Sequence, residues 1–163
     1  MIRSATAAFA LLFAVNPLTA ATPVCPTATE LSAMQVRQLQ TELMVAALDC
    51  DGGPFDYRGT YAVFIQRSRP GLAENARQLR AMFARNGMDA AAIDRYQTDL
   101  ATNAELKSRT LPGFCSGLAS MMAQAARLTP AGLIAYAAQT YPAPYGAKAC
   151  AAPALRDADA GHP

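Results

Sequence analysis

The sequence predicts an all-α protein: a single compact bundle of five or six helices, cross-linked by two disulfides. No stretch of the chain alternates apolar and polar residues, as a half-buried strand would. Apolar residues instead recur at spacings of three and four, which is the pattern of an amphipathic helix. An even number of cysteines follows an N-terminus typical of an exported protein, which favours disulfides.

The N-terminus predicts a signal peptide over residues 1–21. Arg3 supplies the positive charge, residues 5–15 form a short apolar segment, and small residues surround Ala20. The apolar segment is shorter than the roughly 20 residues that a membrane-spanning helix needs. We therefore expect the mature protein to be periplasmic or secreted, without a transmembrane segment.

Helix signals then follow one another along the chain. Thr27 and Glu30 have the spacing of a capping box, which predicts a first helix running to about Cys50. From Leu43 to Leu48 this helix is apolar on all sides, so its second half is predicted to be central to the core. Pro70 is expected to separate a second helix, at about 56–67, from a third.

Further start signals predict the remaining helices. Asp89 can cap a fourth helix and Pro112 can open a fifth. Thr129 followed by Pro130 is an N-cap followed by proline at the first helical position, which predicts a short sixth helix. Short connections between all of these helices favour one bundle over separate domains.

Length and charge restrict the function. Residues 22–150 suit one helical domain, and residues 151–163 are expected to form a flexible C-terminal tail. The formal charge of +2 becomes +1 once Arg3 is removed, so no strong overall field would recruit nucleic acid. No aromatic platform for stacking single-stranded nucleic acid accompanies the basic residues either.

Cys50 stands between Asp49 and Asp51 and could be a nucleophile, a metal ligand or half of a disulfide. The two acids oppose thiolate formation, and the sole histidine, His162, lies in the predicted tail. No two cysteines have the close spacing of a zinc site. The disulfide interpretation is therefore favoured, and no metal or cofactor is expected.

The pairing of the cysteines is not determined by their spacing, because four cysteines allow three pairings. The favoured pairs are Cys50 with Cys115, which would join the first helix to the fifth, and Cys25 with Cys150, which would join the chain ends. Each pair closes a long loop and is expected to stabilise the fold by a few kcal/mol (roughly 2–5).

Residues 58–85 contain six arginines and a single acid, Glu74, which makes this segment the candidate binding surface. Arginine can bind carboxylate and phosphate groups with two parallel hydrogen bonds. The segment therefore predicts a surface for an acidic protein or an anionic envelope component, although a solvated face of two amphipathic helices is the simpler alternative. The six arginines are Arg58, Arg67, Arg69, Arg77, Arg80 and Arg85.

Glu42 is the candidate for an alternative, enzymatic function. It comes just before the apolar stretch of the first helix, so it could be a partly buried acid with a raised pKa. A glycosidase would need a second carboxylate, and Asp49, Asp51 and Asp56 are near it in the sequence. P-loop, HExxH and Ser-His-Asp patterns are absent from the sequence.

Three segments, LQTELMVAALDC, YAVFIQRSRPGL and FCSGLASMM, resemble small exported four-cysteine helical proteins of Gram-negative bacteria. The chain is also similar in style to exported immunity proteins against secreted toxins. These resemblances imply an all-helical exported domain and bring no functional residues. The leading hypothesis is a non-enzymatic periplasmic or secreted binding protein, inhibitor- or immunity-like, and the alternative is a small cell-envelope hydrolase that uses carboxylates near Glu42.

Overall fold

The structure is a computed structural model that describes residues 25–50 and 53–147. The first helix contacts each of the other four and lies at the centre of the bundle. The prediction of an all-α bundle with five or six helices is confirmed. The helices of the described residues are α1 (Ala28–Asp49), α2 (Tyr57–Arg85), α3 (Ala90–Thr110), α4 (Phe114–Ala125) and α5 (Pro130–Thr140).

The capping box at the start of α1 forms as predicted. The Glu30 amide donates to Thr27 Oγ1 at 3.3 Å, and the Thr27 amide donates back to Glu30 Oε2 at 2.8 Å. Most of the apolar side chains of α1 are buried, as a central helix requires. Two are not: Met44 is 36% exposed and Leu48 is 64% exposed, so the second half of α1 is not covered on every side.

The predicted break at Pro70 is wrong, because α2 continues through this residue. Proline removes one backbone donor and crowds the carbonyl of Gln66, which typically costs about 3 kcal/mol in a helix interior. Phe64, Leu72 and Leu79 are buried on either side of the proline. Burial of each large apolar side chain contributes about 1.5–3 kcal/mol, enough to hold the two halves in one helix.

Two apolar clusters make up the core. The larger joins the second half of α1 to the first half of α2 and to α4 and α5, and it includes Leu43, Phe64, Met122 and Leu133. The smaller lies between the start of α1, the end of α2 and the first half of α3. Its members include Met34, Leu79, Met82, Phe83, Tyr96 and Leu100.

The predicted disulfide between Cys50 and Cys115 is confirmed, with 2.07 Å between the sulfurs and 5.6 Å between the Cα atoms. It joins the C-cap of α1 to the first turn of α4. Cys150 lies outside the described residues, so its pairing with Cys25 stays a prediction. The predicted signal peptide (1–21) and tail (151–163) also lie outside them.

The segment after α5 returns across α1 and α3. The Tyr145 amide donates to the Gln38 side chain of α1 at 2.8 Å. Gly146 has a positive φ of 78°, and a Cβ there would lie 3.4 Å from the Tyr96 ring of α3. Glycine therefore fits both the backbone conformation and the close approach to α3. Within the described residues, no helix combines the length and hydropathy that crossing a membrane requires.

Candidate functional site

Two of the six arginines predicted to form a binding surface hold the ends of other helices. Arg58 donates from Nε to the Ala47 carbonyl near the end of α1, at 3.3 Å. Arg67 donates from Nη1 to the Ala126 carbonyl at the C-cap of α4, also at 3.3 Å. Carbonyls at helix C-termini lack partners within their helix, and cations near them are favourable. These contacts give both arginines a structural role.

Arg85 joins the end of α2 to the start of α1. Its Nε donates to Glu30 Oε1 at 2.9 Å, and its Nη2 donates to Glu30 Oε2 at 2.5 Å. Nη2 also approaches the Cys25 carbonyl at 3.4 Å. The Arg85 guanidinium lowers the pKa of the Glu30 carboxyl, chiefly through these hydrogen bonds, and Glu30 in turn raises the pKa of Arg85. This arginine is already engaged by a carboxylate of the same chain.

The other three arginines, Arg69, Arg77 and Arg80, form what we call the outer arginine stripe. All three are exposed, and their spacings of eight and three residues place them on one side of α2. Glu74 pairs with Arg77 at the edge of the stripe. The structure thus divides the predicted six-arginine face into three structural arginines and three that point to solvent.

Glu42 lies at the centre of a polar cluster. Its side chain is buried, at 7% exposure. Oε1 accepts hydrogen bonds from Lys107 Nζ at 2.6 Å and from Gln38 Nε2 at 3.2 Å, and Oε2 accepts one from the Tyr141 hydroxyl at 2.8 Å. Burial, and then the charge of Glu42, raise the pKa of Tyr141 well above its usual range, so its hydroxyl stays protonated as a donor. Both oxygens of Glu42 are therefore occupied.

A cleft of about 200 Å³ borders this cluster between α1, α3 and the segment after α5. Its mixed lining includes Asn103 of α3 and Tyr145. Glu42 is the only carboxylate among the residues that line it, which are Gln38, Glu42, Leu100, Asn103, Lys107, Ala143 and Tyr145. The cleft can hold a small polar molecule, but it offers one carboxylate where a two-carboxylate hydrolase needs a pair.

Two of the three aspartates near Glu42 in the sequence have other roles in the structure. Asp49 accepts a hydrogen bond from the Ser108 hydroxyl at 2.7 Å. Asp56 is the N-cap of α2. Asp51 lies outside the described residues. Within residues 25–50 and 53–147, no three His, Cys, Asp or Glu side chains come together as a metal site would require.

A second, mainly apolar cavity of about 160 Å³ lies between α1, α2 and α5. Asn75 lines it and is buried, and its Nδ2 donates to the Ala33 carbonyl at 2.8 Å. Asn75 Oδ1 has no hydrogen-bond partner in the part of the chain that the structure describes. No sequence signal pointed to this cavity, because its walls come from three helices distant in the chain.

The outer arginine stripe and the cleft beside Glu42 both present polar groups that a partner or ligand could bind. In comparisons with known proteins, no family model, no curated protein and no solved structure matches this chain.

Proposed function

We propose that the protein is a non-enzymatic, exported binding protein, inhibitor- or immunity-like, that captures an acidic protein through the outer arginine stripe. One observation carries this proposal. Arg69, Arg77 and Arg80 lie exposed along one side of α2, and Glu74, at the edge, is the one carboxylate paired with them in the described part of the chain. This side of the helix is left with a net positive charge that the fold does not use.

The chemistry of the stripe favours a protein partner. Arginine presents a planar fork that matches a carboxylate, so three arginines favour an acidic polypeptide. A helix that binds a membrane surface usually adds large apolar residues that enter the lipid. Exposed residues one helical turn from these arginines are small instead, for example Ala73, four residues after Arg69, and Ala84, four residues after Arg80. Small residues leave room for the side chains of another protein.

Export is supported by the disulfide between Cys50 and Cys115. Disulfides form and persist in oxidising compartments and are rare in the cytosol. The signal peptide expected over residues 1–21 would deliver the chain to such a compartment. A periplasmic or secreted location is part of the proposal.

Charge reversal tests the proposed surface. A fluorescently labelled hexaglutamate peptide serves as the acidic probe, and fluorescence anisotropy measures its binding at low salt. Wild-type protein is expected to bind the peptide, with an affinity that falls as salt is added, since salt screens exposed charges. Arg77→Glu with Arg80→Glu should abolish binding and leave the melting temperature unchanged, because both side chains are exposed.

A matched control makes the same change of charge elsewhere. Arg95→Glu with Arg109→Glu alters two exposed arginines of α3 and should leave peptide binding within about twofold of wild type, since distant surface charges are largely screened. Equal loss in both double variants would show that only total charge matters and would contradict the proposed surface. Tighter binding to phosphatidylglycerol vesicles than to the peptide would point to an anionic envelope component instead.

The alternative function, a small cell-envelope hydrolase, rests on Glu42 and the adjoining cleft. Its support is the burial of a carboxylate beside a cleft of about 200 Å³. Purified peptidoglycan incubated with wild-type protein would release soluble fragments if this alternative holds. Release that survives Glu42→Gln would reject the role of Glu42, and no release by wild type would reject the class.

A further inference from the structure

The cleft beside Glu42 has walls from three parts of the chain. Leu100, Asn103 and Lys107 lie three and four residues apart on one face of α3, and all three line the cleft. The segment after α5 contributes Tyr145 to another wall, and Glu42 of α1 lies between the two. The side chains that meet here are therefore brought together by the fold and not by the sequence.

The wall formed by the segment after α5 is held in place at two points. The Tyr141 hydroxyl donates to Glu42 at 2.8 Å, and the Tyr145 amide donates to the Gln38 side chain at 2.8 Å. Between these points the sequence YPAPY contains two prolines, which restrict the backbone. A wall that is ordered before a ligand arrives loses little conformational entropy when the ligand binds.

Two accessible side chains of the cleft have hydrogen-bonding groups that the fold does not use. Lys107 is 34% exposed, and of its three ammonium protons one is engaged by Glu42 at 2.6 Å, which leaves two donors. Asn103 is partly exposed, and its side-chain amide has no hydrogen-bond partner in the described part of the chain. The amide can both donate and accept.

The charges of the lining favour a neutral ligand. Glu42 and Lys107 are the two charged residues that line the cleft, and they pair with each other. An anion or a cation would have to compete with this pair. An apolar ligand is also disfavoured, because it would take the polar groups of Asn103 and Lys107 out of water without giving them a partner.

The rest of the lining is apolar and includes an aromatic ring. Tyr145 is 39% exposed, and Leu100 and Ala143 lie beside it in the cleft. A sugar ring has hydroxyls around its edge, which donate and accept, and C–H groups on its faces. The face of an aromatic ring is slightly negative and attracts such C–H groups.

The size of the cleft restricts the ligand to a single ring. Its volume of about 200 Å³ is below the roughly 300–1,000 Å³ of pockets that enclose drug-sized molecules.

We propose that the cleft binds one neutral sugar unit, whose hydroxyls bond to Asn103 and Lys107 and whose C–H face packs against Tyr145. Glu42 is a positioning residue in this site, because it holds the Lys107 ammonium in place. The site belongs to α1, α3 and the segment after α5, so it is separate from the outer arginine stripe of α2. It gives the protein a second ligand besides the acidic partner.

The experiment follows the side-chain amide signals of the full chain by proton–nitrogen NMR. Glucose, galactose and N-acetylglucosamine are added in separate titrations, and Asn103→Ala assigns the Asn103 signals by removing them. At least one of the three sugars is expected to shift these signals and to saturate the shift. If none of them does so, the sugar site is refuted.

A variant and a matched control measure the contribution of Asn103. Asn103→Ala should weaken binding of the sugar about tenfold, as loss of one or two hydrogen bonds does. Thr102→Ala changes the adjacent exposed residue of α3, which does not line the cleft, and should leave the affinity within about twofold of wild type. Equal affinities of the two variants would overturn the proposal. Hexaglutamate binding should be the same in both, so the cleft and the stripe are tested separately.

Charged probes and a glycoside complete the test. Inorganic phosphate and glycine are titrated in the same way, and a shift of the Asn103 signals at lower concentration than with any sugar would refute the preference for a neutral ligand. The methyl glycoside of the tightest sugar identifies the source of the ligand. Undiminished binding supports recognition of a sugar unit within a glycan, and loss of binding supports recognition of the free sugar.

Discussion

The Tyr141 hydroxyl donates a 2.8 Å hydrogen bond to Glu42 across 99 residues of sequence. This contact attaches the segment after α5 to the middle of α1. The other carboxylate oxygen of Glu42 accepts from Lys107, so α3 is attached to the same point. One buried carboxylate therefore connects three parts of the chain, which gives it a structural role whether or not the adjoining cleft binds a ligand.

Glu42→Gln should lower the free energy of unfolding by about 1–3 kcal/mol. The amide keeps the size of the side chain but leaves the Lys107 ammonium without its counter-charge, and it offers Tyr141 a weaker acceptor or a clashing donor. Urea denaturation at neutral pH measures the change. Glu105→Gln removes an exposed carboxylate of α3 and serves as the control, with an expected change below about 0.5 kcal/mol. Equal changes in the two variants would contradict the structural role of Glu42.

Alkaline pH should destabilise the protein in part through Tyr141. Above pH about 10 the unfolded chain loses its tyrosine protons, whereas burial and Glu42 raise the pKa of Tyr141 in the folded chain. The folded state then holds more protons than the unfolded state, so the free energy of unfolding falls as pH rises above about 10. This contribution is fully present below that pH.

Tyr141→Phe removes the titrating hydroxyl. Its free energy of unfolding should be lower than that of wild type at pH about 8, because the bond to Glu42 is lost. It should then fall less steeply than wild type between pH about 9 and about 11.5. An unchanged slope in Tyr141→Phe would refute this assignment.

Loss of the disulfide between Cys50 and Cys115 should cost several kcal/mol. The bond spans 65 residues, and chain-entropy accounting for a loop of this length gives about 4 kcal/mol. Urea unfolding of Cys50→Ala with Cys115→Ala and of the wild type, both without reductant, measures the loss, since reductant would also open the predicted Cys25–Cys150 pair. Non-reducing peptide mapping checks the pairing itself. A linked Cys25–Cys50 pair would contradict it.

Local signals in the sequence predicted the parts of the fold that local physics determines. The capping box of Thr27 and Glu30 needs only residues three apart, so it could be recognised directly. The Cys50–Cys115 pair followed from placing two cysteines at ends of predicted helices in an exported chain. Glu42 was expected to be partly buried because an apolar stretch follows it, and it is.

Contacts between distant residues were not predictable in the same way. Glu42 accepts hydrogen bonds from Lys107, 65 residues away in the sequence, and from Tyr141, 99 residues away. No pattern in the sequence predicts such pairs. The arginines show the same limit. Arg67 and Arg69 look alike in sequence, but only the packed bundle places a helix C-terminus beside Arg67.

Neutral substitutions should separate the structural arginines from the outer arginine stripe. Arg67→Met removes the bond to the Ala126 carbonyl at the end of α4 and should lower the free energy of unfolding by about 0.5–1.5 kcal/mol. Arg69→Met, two residues away and exposed, should change it by less than about 0.5 kcal/mol. Urea denaturation of both variants gives the comparison. The division of the arginines fails if Arg69→Met is the more destabilising of the two.

Pro70 is the residue where local and tertiary effects compete most directly, since it lies exposed inside a continuous α2. Pro70→Ala restores a backbone donor to the Gln66 carbonyl and removes the crowding of that carbonyl by the proline ring. It should therefore raise the free energy of unfolding by about 1–3 kcal/mol. This is a net value, because alanine also gives the unfolded chain more conformational entropy, which lowers the free energy of unfolding. The neighbouring Gly71→Ala provides a matched comparison, because its Cβ would meet Pro130 at an ordinary 3.6 Å. It should add up to about 1 kcal/mol if the segment is helical. Destabilisation by both substitutions would show that α2 is broken at Pro70 in solution.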